Sequence, residues 1–94
     1  MKYKIKATSI FNKDLKKASK RGLDLDKLSL VINTIANGKQ LDKKYRDHSL
    51  INNKKYKNVR ECHIEPDWLL IYSINEKYVI LELIRTGSHS DLFI

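Results

Sequence analysis

Residues 68–74 read WLLIYSI, apolar throughout except for Ser73. The run is bounded by Pro66-Asp67 on one side and Asn75-Glu76-Lys77 on the other. Too short for a core helix and too apolar for a half-solvated strand, it fits a strand buried on both faces. Such a strand must lie inside a sheet, with partners along both edges and cover above and below. Two flanking segments can supply the partners: residues 57–64 (KNVRECHI) and 78–84 (YVILELI). The connections, Glu65-Pro66-Asp67 and Asn75-Glu76-Lys77, are short, so the three strands form an antiparallel meander. Pro66 suits the first turn because its φ is fixed and it lacks an N–H donor. Thr86-Gly87 is expected to end the last strand, leaving Ser88–Ile94 as a short tail.

The cover has to come from upstream. Residues 2–7 (KYKIKA) alternate, with Tyr3, Ile5 and Ala7 on one side, as a short edge strand would. Thr8 or Ser9 can cap a helix to about Arg21, with Phe11, Leu15 and Ala18 at helical spacing and Gly22 as the stop. Asp24 can cap a second helix bearing Leu25, Leu28, Val31, Ile32 and Ile35, closed by Asn37-Gly38. Residues 39–55 are polar and basic without a period and read as a long loop, a place where function is often carried. The expected architecture is α+β in the order β-α-α-β-β-β. It is an antiparallel sheet with a helix pair over one face and the other face free to offer a groove. The 94 residues suit one domain spanning 1–94.

Charge is distributed unevenly. Residues 1–60 carry 17 Lys+Arg against 5 Asp+Glu, whereas residues 61–94 carry 2 against 6. The basic part favours a polyanionic partner through phosphate neutralisation and counterion release. No apolar run approaches the span of a membrane, and the charged start MKYKIKATS lacks a signal-peptide core. A cytoplasmic protein with no membrane partner is expected. Cys62 is the only cysteine, so neither an internal disulfide nor a cysteine-rich metal site can form. A core this thin leaves no room for a large enclosed cofactor.

The three histidines fall at strand ends or in loops: His48, His63 and His89. Reversal of direction in a meander brings His63, Asp67 and the segment Arg85–His89 to the same end of the sheet. RNA can be cut without a metal when a base deprotonates the 2′-OH, an acid protonates the leaving 5′-oxygen, and a cation meets the phosphoryl oxygens. Imidazoles suit the proton transfers near neutral pH, and guanidinium suits the phosphate. His63, His89 and Asp67 are the candidates for proton transfer, and Arg85 with Arg60 or Arg46 for charge. Lys43 and Lys54 are candidate phosphate contacts in the basic loop. Trp68, Tyr56 or Phe93 could stack on a base. Plainer readings stand beside these: Trp68 as core, Arg85 in an ion pair with Glu61 or Glu82, Asp47 as an orienter of its loop. The spacing of His48, His63, Asp67 and His89 matches no HExxH or paired-cysteine pattern, so no metal is expected.

Three stretches resemble YafQ-type toxins of the RelE superfamily of bacterial type II toxin–antitoxin systems. They are Arg46-Asp47-His48-Ser49-Leu50, Arg60 through Tyr72 with its core HIEPDWLLIY, and Arg85-Thr86-Gly87-Ser88-His89-Ser90-Asp91-Leu92-Phe93. The resemblance implies a compact α+β toxin that cleaves messenger RNA, usually on the ribosome, without a cofactor. It also implies neutralisation by a cognate antitoxin, through which alone operator DNA would be bound. Carried over by position, its functional set is His48, His63, Asp67, His89 and Phe93, with Arg85 handling phosphate. Asp67 or His63 would be the base, His89 the acid, and His48 would steady the phosphate. Two other readings remain: a gyrase-directed, ParE-like toxin of the same superfamily, and a non-catalytic basic RNA-binding module.

Overall fold

The computed structural model describes residues 1–94. The chain runs β1 (Lys4–Ala7), α1 (Ser9–Lys20), α2 (Leu25–Ala36), a single 3-10 turn (Lys43–Tyr45), β2 (His48–Ser49), β3 (Arg60–Glu65), β4 (Trp68–Asn75), β5 (Ile80–Gly87) and α3 (His89–Phe93). The expected α+β order is therefore present, with one short strand and one short helix added. No helix is long and apolar enough to cross a membrane.

Both long helices begin at side-chain caps. The Thr8 hydroxyl accepts from the Phe11 amide, and the Asp24 carboxylate accepts from the Asp26 amide. Gly22, at φ +75°, makes the left-handed turn that separates the helices. Phe11 and Ala18 of α1, and Leu28, Val31, Ile35 and Ala36 of α2, are buried against one face of the sheet. That face presents Cys62, Ile64, Leu70, Tyr72, Leu81 and Leu83. Each fully buried large apolar side chain here contributes about 1.5–3 kcal/mol.

The sheet order is β1-β5-β4-β3-β2, with β4 at the centre as its composition requires. β3, β4 and β5 form the expected antiparallel meander. The sheet as a whole is mixed rather than antiparallel, because β1 pairs parallel to β5, Lys4 opposite Ile80 through Ala7 opposite Leu83. A periodicity read within one strand carries no information about its neighbour's direction. The basic loop is also less irregular than expected, since His48 and Ser49 pair with Glu61 and Arg60. β5 continues through Thr86-Gly87 instead of ending before them.

The second face of the sheet is not free. Leu69 and Ile71 lie under Tyr56, Val59 and Leu92, a small core roofed by residues 50–59 and by α3. The end of this face near the β3–β4 turn is where the histidines gather.

Candidate functional site

Strand alternation puts Glu61 and His63 on the face opposite Cys62. Pairing of β2 with β3 sets His48 across from Glu61. The Glu61 side chain is only 7% exposed, and its Oε1 lies 3.4 Å from both His48 Nε2 and His63 Nε2. One buried carboxylate thus faces two imidazoles. His63 Nδ1 lies 3.2 Å from the carbonyl oxygen of Pro66. A carbonyl can only accept, so this contact places a proton on Nδ1, while Nε2 faces the Glu61 carboxylate.

His89 opens α3, which Ser88 caps in a reciprocal box with Asp91. Asp67, in the β3–β4 turn, accepts from both the His89 amide (2.9 Å) and His89 Nδ1 (2.8 Å) through Oδ1. Those two bonds hold the Asp67 carboxyl below its ordinary value, the backbone bond contributing most. The rings of His63 and His89 are 5.9 Å apart, and Phe93 lies 6.1 Å beyond His89. The expected convergence of His63, Asp67 and His89 is therefore present, with His48 attached through Glu61. Glu61 itself was missed as a site residue. Its position two residues before His63, on the same strand face, was the available signal.

The cations are differently employed. Arg85 donates through Nε and Nη2 to Asp14 of α1 at 2.7 and 3.0 Å. This pair raises the guanidinium further above its ordinary value, the Asp14 hydrogen bond being the main cause. Its partner is neither Glu61 nor Glu82, and two of its nitrogens are not free for phosphate. Arg60 donates to both oxygens of Asp47, and the Tyr72 hydroxyl donates to the same carboxylate. Asp47 thereby anchors the residue next to His48. Arg46, Lys43 and Lys54 are exposed and uncommitted to any ion pair. Trp68 is 2% exposed, and its indole N–H donates to the Thr86 hydroxyl. Its expected stacking role is therefore corrected, because it is a core residue whose polar edge is already satisfied. Tyr56 is buried too, with its hydroxyl on the Leu92 carbonyl oxygen, and Phe93, packed edge-on against it, is the one partly exposed aromatic at the site.

His48, Glu61 and His63 offer ligand atoms within 4.8 Å of one another, a spacing that could hold a metal ion. They also form, with His89 and Asp67, a row of three imidazoles backed by two carboxylates. Such a row can move protons on either side of a bound phosphodiester.

Known proteins resemble this chain over nearly its whole length. Residues 3–94 match the family described as bacterial toxin of type II toxin–antitoxin system, YafQ. The chain is 40% identical over 84 residues to an mRNA interferase toxin YafQ of Escherichia coli, covering 88% of this chain and 87% of that protein. It superposes on a crystal structure of the E. coli DinJ–YafQ toxin–antitoxin complex with a TM-score of 0.87, 35% identity and full coverage of both chains. A crystal structure of a metal-bound toxin from Helicobacter pylori gives a TM-score of 0.88 at 43% identity, covering 97% of this chain and 99% of that one.

Proposed function

This chain belongs to the YafQ family of toxins of bacterial type II toxin–antitoxin systems, and from that premise we propose that it is an endoribonuclease of messenger RNA, held inactive by a cognate antitoxin. The observation that carries the reading is the Asp67–His89–His63 row, with 2.8 Å between carboxylate and imidazole and 5.9 Å between the two rings.

In this mechanism His63 is the base. Its Nδ1–H is held by Pro66, so Nε2 can take the proton from the 2′-OH. The 2′-oxygen attacks the adjacent phosphorus, and the P–O5′ bond breaks. Glu61, 3.4 Å from Nε2, stabilises the imidazolium that results. His89 is the acid. Asp67 holds its Nδ1–H and turns Nε2 outward, from which a proton passes to the departing O5′. Of the two residues that could have been the base, Asp67 is thus the positioning partner and His63 the base. His48 and Arg46 supply charge to the phosphoryl oxygens, while Lys43 and Lys54 hold the strand on either side. The products are a 2′,3′-cyclic phosphate and a 5′-OH. No metal takes part in any step. Where an ion did bind, as in the Helicobacter pylori relative, His48, Glu61 and His63 would hold it, and the Nε2 lone pair of His63 would be lost to catalysis.

The ribosome is the expected site of action, and the antitoxin of the E. coli complex is the kind of partner expected. The test is primer extension on a translated messenger, with and without ribosomes, using purified wild type, His63→Ala and His89→Ala. Each substitution should lower cleavage by roughly 10²–10⁴-fold while the protein still binds its antitoxin. New 5′-phosphate ends, or a His63→Ala/His89→Ala protein cutting at the wild-type rate, would refute the mechanism. A gyrase-directed toxin needs none of these imidazoles, so loss of growth arrest on their removal also separates the two.

A further inference from the structure

A concavity adjoins the row and shares His63 and Arg46 with it. β2 pairs only with Arg60 and Glu61, so the second half of β3 has no strand beyond it. The space there is bounded by α2, the 3-10 turn and the β3–β4 turn, and its volume is about 440 Å³. That falls within the range of small-ligand pockets. His63 forms part of its wall, together with Lys27, Lys44, Arg46 and Glu65. Three cations against one carboxylate make it a pocket for an anion-bearing ligand. Tyr45, Leu30 and Ile64 add an apolar lining.

Two details point past a generic basic surface. Arg46 adopts a left-handed backbone (φ 49°, ψ 44°) at the end of the 3-10 turn, a position that favours glycine or asparagine. From that position the Arg46 side chain lines the pocket wall. Lys27 Nζ and Glu65 Oε2 sit 3.1 Å apart, presenting a donor beside an acceptor. Neither is buried, so both keep hydrogen-bonding capacity for a ligand.

We infer that this pocket receives the base of the nucleotide immediately 5′ of the scissile bond, and that the Lys27–Glu65 pair reads its hydrogen-bonding edge. The inference rests on the ribonuclease reading. The side of the cut follows from the chemistry: His63 borders the pocket and serves the 2′-OH, which belongs to the upstream nucleotide. The leaving oxygen and the downstream nucleotide belong to the His89–Phe93 side. Every base presents a donor next to an acceptor on its pairing edge, so the pair can engage any of them. Guanine alone offers two adjacent donors to the Glu65 carboxylate while its O6 meets Lys27. Lys44 takes the phosphate on the 5′ side of that nucleotide, while Arg46 stays with the scissile phosphate.

The experiment uses four translated messengers that differ only in the base immediately 5′ of one mapped cut. Relative kcat/KM is measured for wild type, Glu65→Gln, Lys27→Ala and Lys44→Ala. Glu65→Gln and Lys27→Ala should change the ranking of the four messengers by about tenfold, the effect of one lost hydrogen bond to a charged group. Lys44→Ala should weaken all four alike and leave the ranking intact. Preference for the base 3′ of the cut should not move in any variant. Wild-type ranking in both Glu65→Gln and Lys27→Ala, in proteins that still cleave, overturns the pocket assignment alone. A wild-type protein that cuts none of the four overturns the ribonuclease reading and the pocket with it.

Discussion

Removing the Asp14 carboxylate should destabilise the protein by about 3 kcal/mol. β1 covers β5 only from Ile80 to Leu83, so the later half of β5 has no strand on that side. Asp14 fills the gap from α1. Its Oδ2 accepts from Arg85 Nε at 2.7 Å and from the Thr86 amide at 3.2 Å, and its Oδ1 accepts from Arg85 Nη2 at 3.0 Å. The side chains are 6% and 17% exposed. Breaking a buried pair from one side costs about 3–5 kcal/mol, because the other charge is left without a partner. Arg85 can recover some hydration through its exposed edge, which places Asp14→Ala at the lower end. With 94 residues and about 2.1 cal/mol/K of unfolding entropy per residue, the melting temperature should fall by roughly 15 °C. Asp14→Asn keeps an acceptor but loses the charge, and should fall about half as far. Asp14→Ala combined with Arg85→Met removes the orphaned cation and should recover most of the loss. Thermal and urea unfolding followed by circular dichroism read all three. A drop below about 4 °C for Asp14→Ala, or a double variant no more stable than the single one, would refute the account of this pair as the edge clamp of β5.

Three further outcomes are expected. The bidentate Arg21 contact holds the Asp91 carboxyl well below the usual carboxylate range. A depressed carboxylate stabilises the fold above its unfolded value near 3.9 and loses that contribution only as pH falls from there through its lower folded value. Asp91→Asn should therefore melt below wild type by a constant margin from pH 5 to 8, with the gap closing under about pH 4; a gap that widens on acidification contradicts the assignment. Burial pushes the Cys62 thiol up to about 12, so it should resist a disulfide reagent at pH 8 until urea unfolds the chain, and rapid labelling of the native protein counts against its burial. Finally, chelators should leave RNA cleavage unchanged whereas added Zn²⁺ should slow it, with Glu61→Gln blunting the inhibition; loss of activity in chelator would require a metal in the reaction itself.

What the sequence made legible was whatever repeats locally. The double-sided apolarity of Trp68–Ile74 placed the central strand, the caps at Thr8 and Asp24 placed the helices, and chain reversal brought His63, Asp67 and His89 together. What it hid was mostly pairing across distance. Asp14 and Arg85 are 71 residues apart and meet only because α1 lies along the uncovered end of β5. Tyr72, Asp47 and Arg60 form a network whose members sit on three separate segments. The parallel partner of β1 is set by tertiary packing, and a two-residue strand such as β2 is too short to show alternation. Trp68 illustrates a different limit: an aromatic beside a turn reads equally as core or as a stacking surface, and only its bond to Thr86 decides. Glu61 reads from the sequence only as an ion-pair candidate for Arg85, because a lone acid in a strand shows nothing more until two imidazoles are found facing it.

These hidden contacts explain how a five-residue helix can hold the proposed acid, His89. α3 is far too short to be stable by itself, yet the proposed mechanism needs His89 to face His63 within a narrow tolerance. Its position is set from four directions. Leu92 is fully buried in the second core, the Tyr56 hydroxyl holds the Leu92 carbonyl oxygen, Arg21 grips Asp91 from the end of α1, and Asp67 fixes His89 itself. Gly87 permits the last approach, since a Cβ there would come within 3.0 Å of Asp91 Cβ and Oδ2. The other imidazoles sit on the sheet, where ladder bonds place them. The site thus joins a rigid half, bearing the proposed base, to a tethered half, bearing the proposed acid. Losing any one tether should shift His89 without unfolding the sheet beneath it, so catalysis is more sensitive than stability to change at Arg21, Tyr56 and Gly87.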